Sequence, residues 1–419
     1  MTTLAINRRN QRKSRVTLLS FLAAAFAALL TLAHPALAQS ALAQPAPGQP
    51  AAAVKPPPLV PLEQAFLKAA TTLFESIPAA QGKTVIVIDP LVDGVTGIQS
   101  IATRGFDRRI AQLVAERYKH IEIAPLTPDN VARARYVFIG TFNTINNAGQ
   151  ATGPRDAFWI CFALVDQQSK TVHARSVARA TLSDVDIAPA SFFADTPVWG
   201  LDSATTAYIE TCQRAKPGDP VSTVYLDQLP AAARIREATV AYEAGDARRA
   251  LALYREAQAL SPGDQLRTLN GVYLALTALG EKEEASKAFA QLVESGLKLG
   301  RLGVLFLFEG GSTNFNGDAR VSAQYPDWLG EIANRAGQAN ACLQVVGHAS
   351  RTGADSFNER LSLERAQRIV ALLAERMPAL AARLKPAGSG SREVLVGLPR
   401  DDASTALDRR VEFKPAICA

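Results

Sequence analysis

The chain has 419 residues, 48% hydrophobic and 20% charged, which is too long for one ordinary domain and too apolar for a disordered chain. Its formal net charge of +6 comes mostly from the amino end: residues 1–38 hold 5 of the 45 Lys and Arg and none of the 39 Asp and Glu, leaving 40 against 39 beyond them. That balance gives no electrostatic case for binding nucleic acid.

Arg8, Arg9, Arg12, Lys13 and Arg15 precede an uncharged stretch from Val16 to Ala33, and Ala36-Leu37-Ala38 supplies a small-x-small site. Residues 1–38 therefore read as a secretion signal cleaved before Gln39. The 18-residue stretch also reaches membrane-spanning length, so an uncleaved inner-membrane anchor is the alternative. Asn10-Gln11 follow the arginine pair where twin-arginine export calls for apolar residues, and no cysteine after the site invites a lipid anchor. Residues 39–60 are rich in Ala, Pro and Gln and read as a linker.

Residues 61–226 have the pattern of an α/β module. An amphipathic helix is expected over 61–77 and a strand over Thr84–Ile88. A helix over Phe106–Arg117 and strands at Ile121–Ile123 and Tyr136–Gly140 come next. Phe158–Val165 is the most apolar strand, and Thr171–Ala178 is placed to pair with it as a hairpin. This order resembles the periplasmic TolB amino-terminal-like and CsgG-like modules, a resemblance that assigns no site. Asp89, Asp93 and Asp107 could form a carboxylate cluster, but turn and cap roles are the simpler reading.

Residues 230–299 carry an internal repeat. Gly245, Ala250 and Tyr254 recur as Gly280, Ala285 and Phe289, an offset of 35 residues. With Ala257 and Pro262, this frame resembles tetratricopeptide repeats, in which alanines let helices approach and an aromatic fills the gap. Two units are fewer than a free-standing solenoid needs, so the pair should lean on a neighbour or extend a surface for a partner protein.

In residues 302–419, a strand over Val304–Phe308 and a helix over Trp328–Ala336 are expected first. A strand over Cys342–Val346, a helix over Ser356–Met377 and strands at Val394–Val396 and Arg410–Phe413 follow. Ser356-x-x-Glu359 has the form of a capping box. Phe357, Leu361, Ile369, Val370, Leu373 and Met377 define the buried face. Asn358, Ser362 and Arg365, at i, i+4 and i+7, make a separate polar stripe. A solvated face is the plain alternative for that stripe.

Three pieces match, in order, the peptidoglycan-binding module of the OmpA family: Val346-Gly-His-Ala-Ser-Arg-Thr-Gly353, Asn358-x-x-Leu361-Ser362-x-x-Arg365-Ala366 and Asp408-Arg-Arg-Val-Glu412. The resemblance implies a βαβα domain with a mixed sheet. It also implies a ligand, the peptide stem of peptidoglycan, whose diaminopimelate is read by an aspartate and an arginine. Arg365 matches that arginine, Thr352 and Asn358 match neighbouring positions, and Arg409 and Arg410 match the closing pair. Ser350 stands in place of the aspartate. A hydroxyl can hydrogen-bond an ammonium but brings no counter-charge. Asp355 need not compensate, since the family often carries an acid there as well.

Four cysteines in an oxidising compartment allow three connectivities. Two lie in the first globular region and two in the last, so Cys161–Cys212 and Cys342–Cys418 are the expected pairs, with buried thiols as the alternative. No zinc spacing, nucleophile elbow or phosphate loop occurs, so neither a metal, a cofactor nor an enzyme is expected.

The chain thus reads as a multidomain α/β and α protein: an exported, non-enzymatic envelope protein of the periplasm, at the outer membrane or wall. Partner proteins would meet its upstream modules, and membrane association stays open. The alternative is an assembly scaffold whose OmpA-like domain has lost or altered wall binding.

Overall fold

The computed structural model describes residues 56–79, 82–183, 185–260, 265–317 and 322–418. The expected signal segment and most of the expected linker lie outside them. Residues 59–60, placed in the linker by composition, form strand β1 (Leu59–Val60).

The first sheet contains β1, β2 (Thr84–Ile88), β3 (Ile121–Ala124), β4 (Tyr136–Ile145), β5 (Ala157–Asp166) and β6 (Thr171–Ala180), in the order β1-β6-β5-β4-β2-β3. β2 runs parallel to both β3 and β4, while β4, β5 and β6 form an antiparallel meander. Both faces are covered, which is why β5 reads as a continuous apolar run rather than an alternation. On one face Ile86, Phe138, Phe158 and Phe162 pack under helices α1 (Leu62–Glu75) and α2 (Ile101–Arg117). On the other, Val87, Val137, Cys161 and Val165 pack under α3 (Pro128–Arg133) and later helices. Helix α2 starts with a reciprocal cap between Ser100 and Thr103. Helix α4 (Ser191–Asp195), strand β7 (Val198–Trp199) and helix α5 (Ser203–Gln213) follow, and Cys212 of α5 is bonded to Cys161 of β5.

Helices α6 (Thr223–Glu243), α7 (Ala247–Leu260), α8 (Leu266–Leu279) and α9 (Lys282–Lys298) pack side by side in two hairpins. The border expected between residues 226 and 230 falls inside α6. Gly245 and Gly280 turn the chain at φ of +81° and +76°, a left-handed conformation that favours glycine. Ala250, Tyr254, Ala285 and Phe289 are buried, so the 35-residue repeat is a packing repeat.

The second sheet joins β7 to β8 (Leu302–Val304), β9 (Leu343–Gly347), β10 (Leu384–Gly388) and β11 (Val411–Pro415), in the order β10-β9-β11-β8-β7. It is mixed: β9 and β10 are parallel, and β11 is antiparallel to both β9 and β8. Helices α10 (Tyr325–Gln338) and α11 (Asp355–Arg376) cover one face. Cys418 is bonded to Cys342, next to the start of β9.

Five details differ from the sequence reading, the first being that the strand expected over Val304–Phe308 lies at Leu302–Val304. Residues Val394–Val396 are a loop, because the backbone N–H groups of Leu395, Val396 and Gly397 donate to the buried carboxylate of Asp408 instead of to a ladder. β10 was hidden by its Lys-Pro-Ala-Gly composition. The capping box at Ser356 does not form; Ala354 caps α11, and Glu359 pairs with Arg392. Phe357, expected in the core, is 43% exposed.

Residues Lys55–Ala419 form one compact unit. One apolar core runs from Phe192 and Phe193 through the helical hairpins to Leu343 and Phe413 of the second sheet. Among the described residues no helix is long and apolar enough to cross a membrane.

Candidate functional site

The amino end of α11, the loop after β9 and the segment 400–409 meet at one place. Two glycines allow it. A Cβ on Gly347 would lie 2.0 Å from the backbone oxygen of Ser362, and one on Gly388 would lie 2.8 Å from that of Glu359. Helix α11 therefore rests its backbone directly on β9 and β10. Ser362, fully buried, accepts from the N–H of Gly390 and donates to the carbonyl of Glu359.

That approach buries the polar stripe. Asn358, Ser362 and Arg365 are each under 5% exposed, which rules out a solvated face. Asn358 donates its amide to the carbonyls of Ser350 (3.2 Å) and Thr352 (2.9 Å), so it moulds the loop after β9. Ser350 and Thr352 share a hydroxyl hydrogen bond of 2.8 Å.

Arg365 is used differently from the bidentate carboxylate grip its position suggests. Its Nε donates to the carbonyl of Ser312 and its Nη2 to that of Glu309, each at 3.0 Å, and the guanidinium lies 4.8 Å above the ring of Phe308. Two donors of the fork thus hold the loop 309–312. Burial first, then the nearby charge of Arg409, pulls its pKa down to about 10, while Asp401 acts the other way.

Asp401 was not singled out in the sequence. Ser350 donates from its hydroxyl to Oδ1 of Asp401 at 3.4 Å, and Arg409 donates from Nη1 to the same oxygen at 2.5 Å. Arg409 also reaches the hydroxyl of Thr405 and the carbonyl of Asp402. A carboxylate from another loop thus stands beside Ser350. The sequence separation of 51 between Ser350 and Asp401 hides this relation, whose only signal was an acid shortly before Asp408-Arg409.

The closing arginines part company: Arg409 ends the short helical turn over Ala403–Asp408, and Arg410 leads into β11. Arg409 turns to Asp401. Arg410 is buried away from the site: it donates to Glu412 at 2.6 Å and to the carbonyls of Leu407 and Glu393, and lies over Trp199. Ser350, Thr352, Asn358, Arg365 and Arg409 are brought together; Arg410 is not.

His348, Glu393 and Glu412 are the one group of three among the described residues close enough to hold a metal ion. Arg410, Arg301 and Lys414 already pair with Glu412, and Lys414 also with Glu393. Burial opposes a charge on Glu412, yet His348 and these cations hold its carboxyl well below the ordinary range. Burial lowers the pKa of His348, with Glu412 acting against that shift. Three resident cations disfavour a dication there.

No family model matches the chain, and no curated protein matches it. Among solved structures, a region resembles the periplasmic domain of MotB from Helicobacter pylori, at 18% identity over 28% of this chain and 76% of that one, with a TM-score of 0.23. The peptidoglycan-associated lipoprotein from Burkholderia pseudomallei is 23% identical over 27% of this chain and 89% of its own, also at 0.23. The cell wall anchor of the T6SS from Pseudomonas aeruginosa is 20% identical over 30% and 95%, at 0.24. Scores of this size leave function to the chain's own residues.

Proposed function

We propose that this is a non-enzymatic envelope protein that holds the peptide stem of peptidoglycan at the surface where the β9 loop, α11 and Asp401 meet. In this reading the half-exposed Asp401 and the hydroxyl of Ser350 receive the ammonium of diaminopimelate. Arg409, with the buried charge of Arg365 behind it, faces the carboxylate. The helical hairpins and the first sheet would present surfaces to partner proteins in the periplasm.

The observation that supports this most is the carboxylate of Asp401 against Ser350 and Arg409. It returns an acid to the place where the sequence motif has lost one. The charge-assisted contact that serine alone could not make becomes available.

The scaffold reading draws on the same site. Two donors of Arg365 are taken by backbone carbonyls, and Arg409 is paired internally. A site whose charges answer one another has less to offer a ligand.

The two readings part in a swap experiment on the full mature chain. Retention on purified sacculi is measured, with titration of a diaminopimelate-containing muropeptide. Asp401→Asn should weaken binding by about tenfold or more, the loss of one charge-assisted bond. Ser350→Asp added to that variant should restore it, moving the acid back across the site. If wild type is not retained, or if neither substitution shifts affinity, the site is vestigial and the scaffold reading stands.

A further inference from the structure

A separate cavity lies at the ends of the first sheet's strands and shares no residue with that site. β2 passes through α2 to β3 on one side, and β3 returns through α3 to β4 on the other side of β2. Helix α2 packs on one face of the sheet and α3 on the other. The chain leaves neighbouring β2 and β3 toward opposite faces, and open α/β sheets bind ligands in the crevice at the strand ends where this happens. A cavity of about 590 Å³ occupies that place, within the range of small-molecule sites.

Its walls combine three elements. Ile88 and Pro90 close β2, Ile123 to Thr127 close β3, and Asp107, Arg108 and Ala111 come from α2. Helix α6 and its turn into α7 cover the front with Arg236, Val240, Ala244 and Arg249. An ion pair between Arg104 and Glu243 ties α2 to α6 at one end. Val240 is 50% exposed although it faces this apolar hollow, an uncovered surface of the kind a ligand covers.

The charges are unequal in what they already do. Glu237 is paired with Arg234 at 2.7 Å, and Asp246 accepts the backbone N–H of Arg249 as a helix cap. Asp107 accepts a long bond from the N–H of Leu91 and is half-buried beside Asp89. The guanidinium groups of Arg108, Arg236 and Arg249 make no hydrogen bond or ion pair among the described residues. Three cations without a hydrogen bond or ion pair, of which Arg236 also acts electrostatically on Asp89 and Asp107, surround an apolar hollow and suit a ligand that is apolar in body and anionic at one end.

We propose that this cavity binds a small amphipathic anion, its hydrocarbon body lying on Ile123, Leu126 and Val240 and its carboxylate or phosphate held by Arg236 with Arg108 or Arg249 at the mouth. The cavity is independent of the wall-binding reading, since it shares no residue with the site of that reading.

Calorimetric titration of the full mature chain with decanoate, decyl phosphate, decanol and decylammonium tests this and tells the two headgroups apart. One or both anions should bind at a single site, and decanol and decylammonium about tenfold or more weaker. Arg236→Gln should cost about tenfold while the free protein stays folded by circular dichroism. Ala111→Phe, which fills the hollow from the α2 side, should abolish binding. Should Ala111→Phe fail to fold, Arg236→Gln still decides. No saturable anion binding, equal binding of decanol or decylammonium, or an unchanged affinity in Arg236→Gln overturns the proposal.

Discussion

Asp89 and Asp107 show how far an environment can carry a single residue from its sequence meaning. Both were candidates for turn and cap roles, and Asp93 does play one, accepting from Val95 and Thr96. Asp89 and Asp107 instead sit buried and half-buried at the end of β2. Asp89 accepts from the hydroxyl of Tyr225 at 2.9 Å. Burial lifts Asp89 to about 6 and Asp107 to about 7, with Arg236 acting against the shift in both. In the unfolded chain both ionise near about 4. Between those values the folded state holds more protons, so their contribution to stability falls as pH rises from 4 through 7. Asp107→Asn, which keeps an acceptor for Leu91, should therefore raise stability at pH 8 by about 2 kcal/mol, a magnitude limited by partial solvent access. The gain should vanish near pH 4. Urea unfolding at the two pH values measures it; a gain of equal size at both would reject the assignment.

Among the elements, α11 carries the candidate site, and its position depends on β9 and β10 having no side chain beneath it. Gly347→Ala would drive a Cβ into the backbone of Ser362. The helix must lift, which withdraws Asn358 from the carbonyls of Ser350 and Thr352 and Arg365 from those of Glu309 and Ser312. An overpacked contact against backbone costs about 3 kcal/mol. Urea unfolding should show that loss, together with lost retention on sacculi if the site binds the wall. A neutral Gly347→Ala would mean that α11 is not held where the contacts put it.

For the whole molecule, the question is what joins regions that look separable in the sequence. Trp199 is central. Its indole donates to the carbonyl of Thr96 at 2.9 Å, and Arg301 and Arg410 lie at 5.2 and 5.6 Å from its ring. Its strand, β7, is drawn from the first module yet completes the second sheet. Thr144 of β4 donates to the carbonyl of Val396, and Leu266 of α8 donates to Asp202, the cap of α5. Calorimetry on wild type should show one cooperative transition, as a continuous core requires. Trp199→Ala should cost about 3–5 kcal/mol and open a second transition, because it leaves a cavity where the two regions meet and uncovers the buried guanidinium of Arg410. Two transitions in wild type would mean that the regions fold apart.

Local pattern alone was enough for the strand at Thr84–Ile88, the β5–β6 hairpin and the amphipathic helices near 62–75 and 325–338, because alternation and helical spacing report which face is buried. The same holds for the repeat of Gly245 and Gly280, where a left-handed turn needs glycine. The cysteine layout pointed to pairs that the structure joins. Tertiary contact decided the rest. Whether the stripe of Asn358, Ser362 and Arg365 met water or protein depended on two glycines in other strands. Whether Val394–Val396 became a strand depended on Asp408 taking its N–H groups. The acid beside Ser350 came from Asp401, and the fate of Arg410 from Trp199, each far away in the chain. Spacing within a segment determines what one element buries. Only the packing of elements against each other determines which charges end up facing one another.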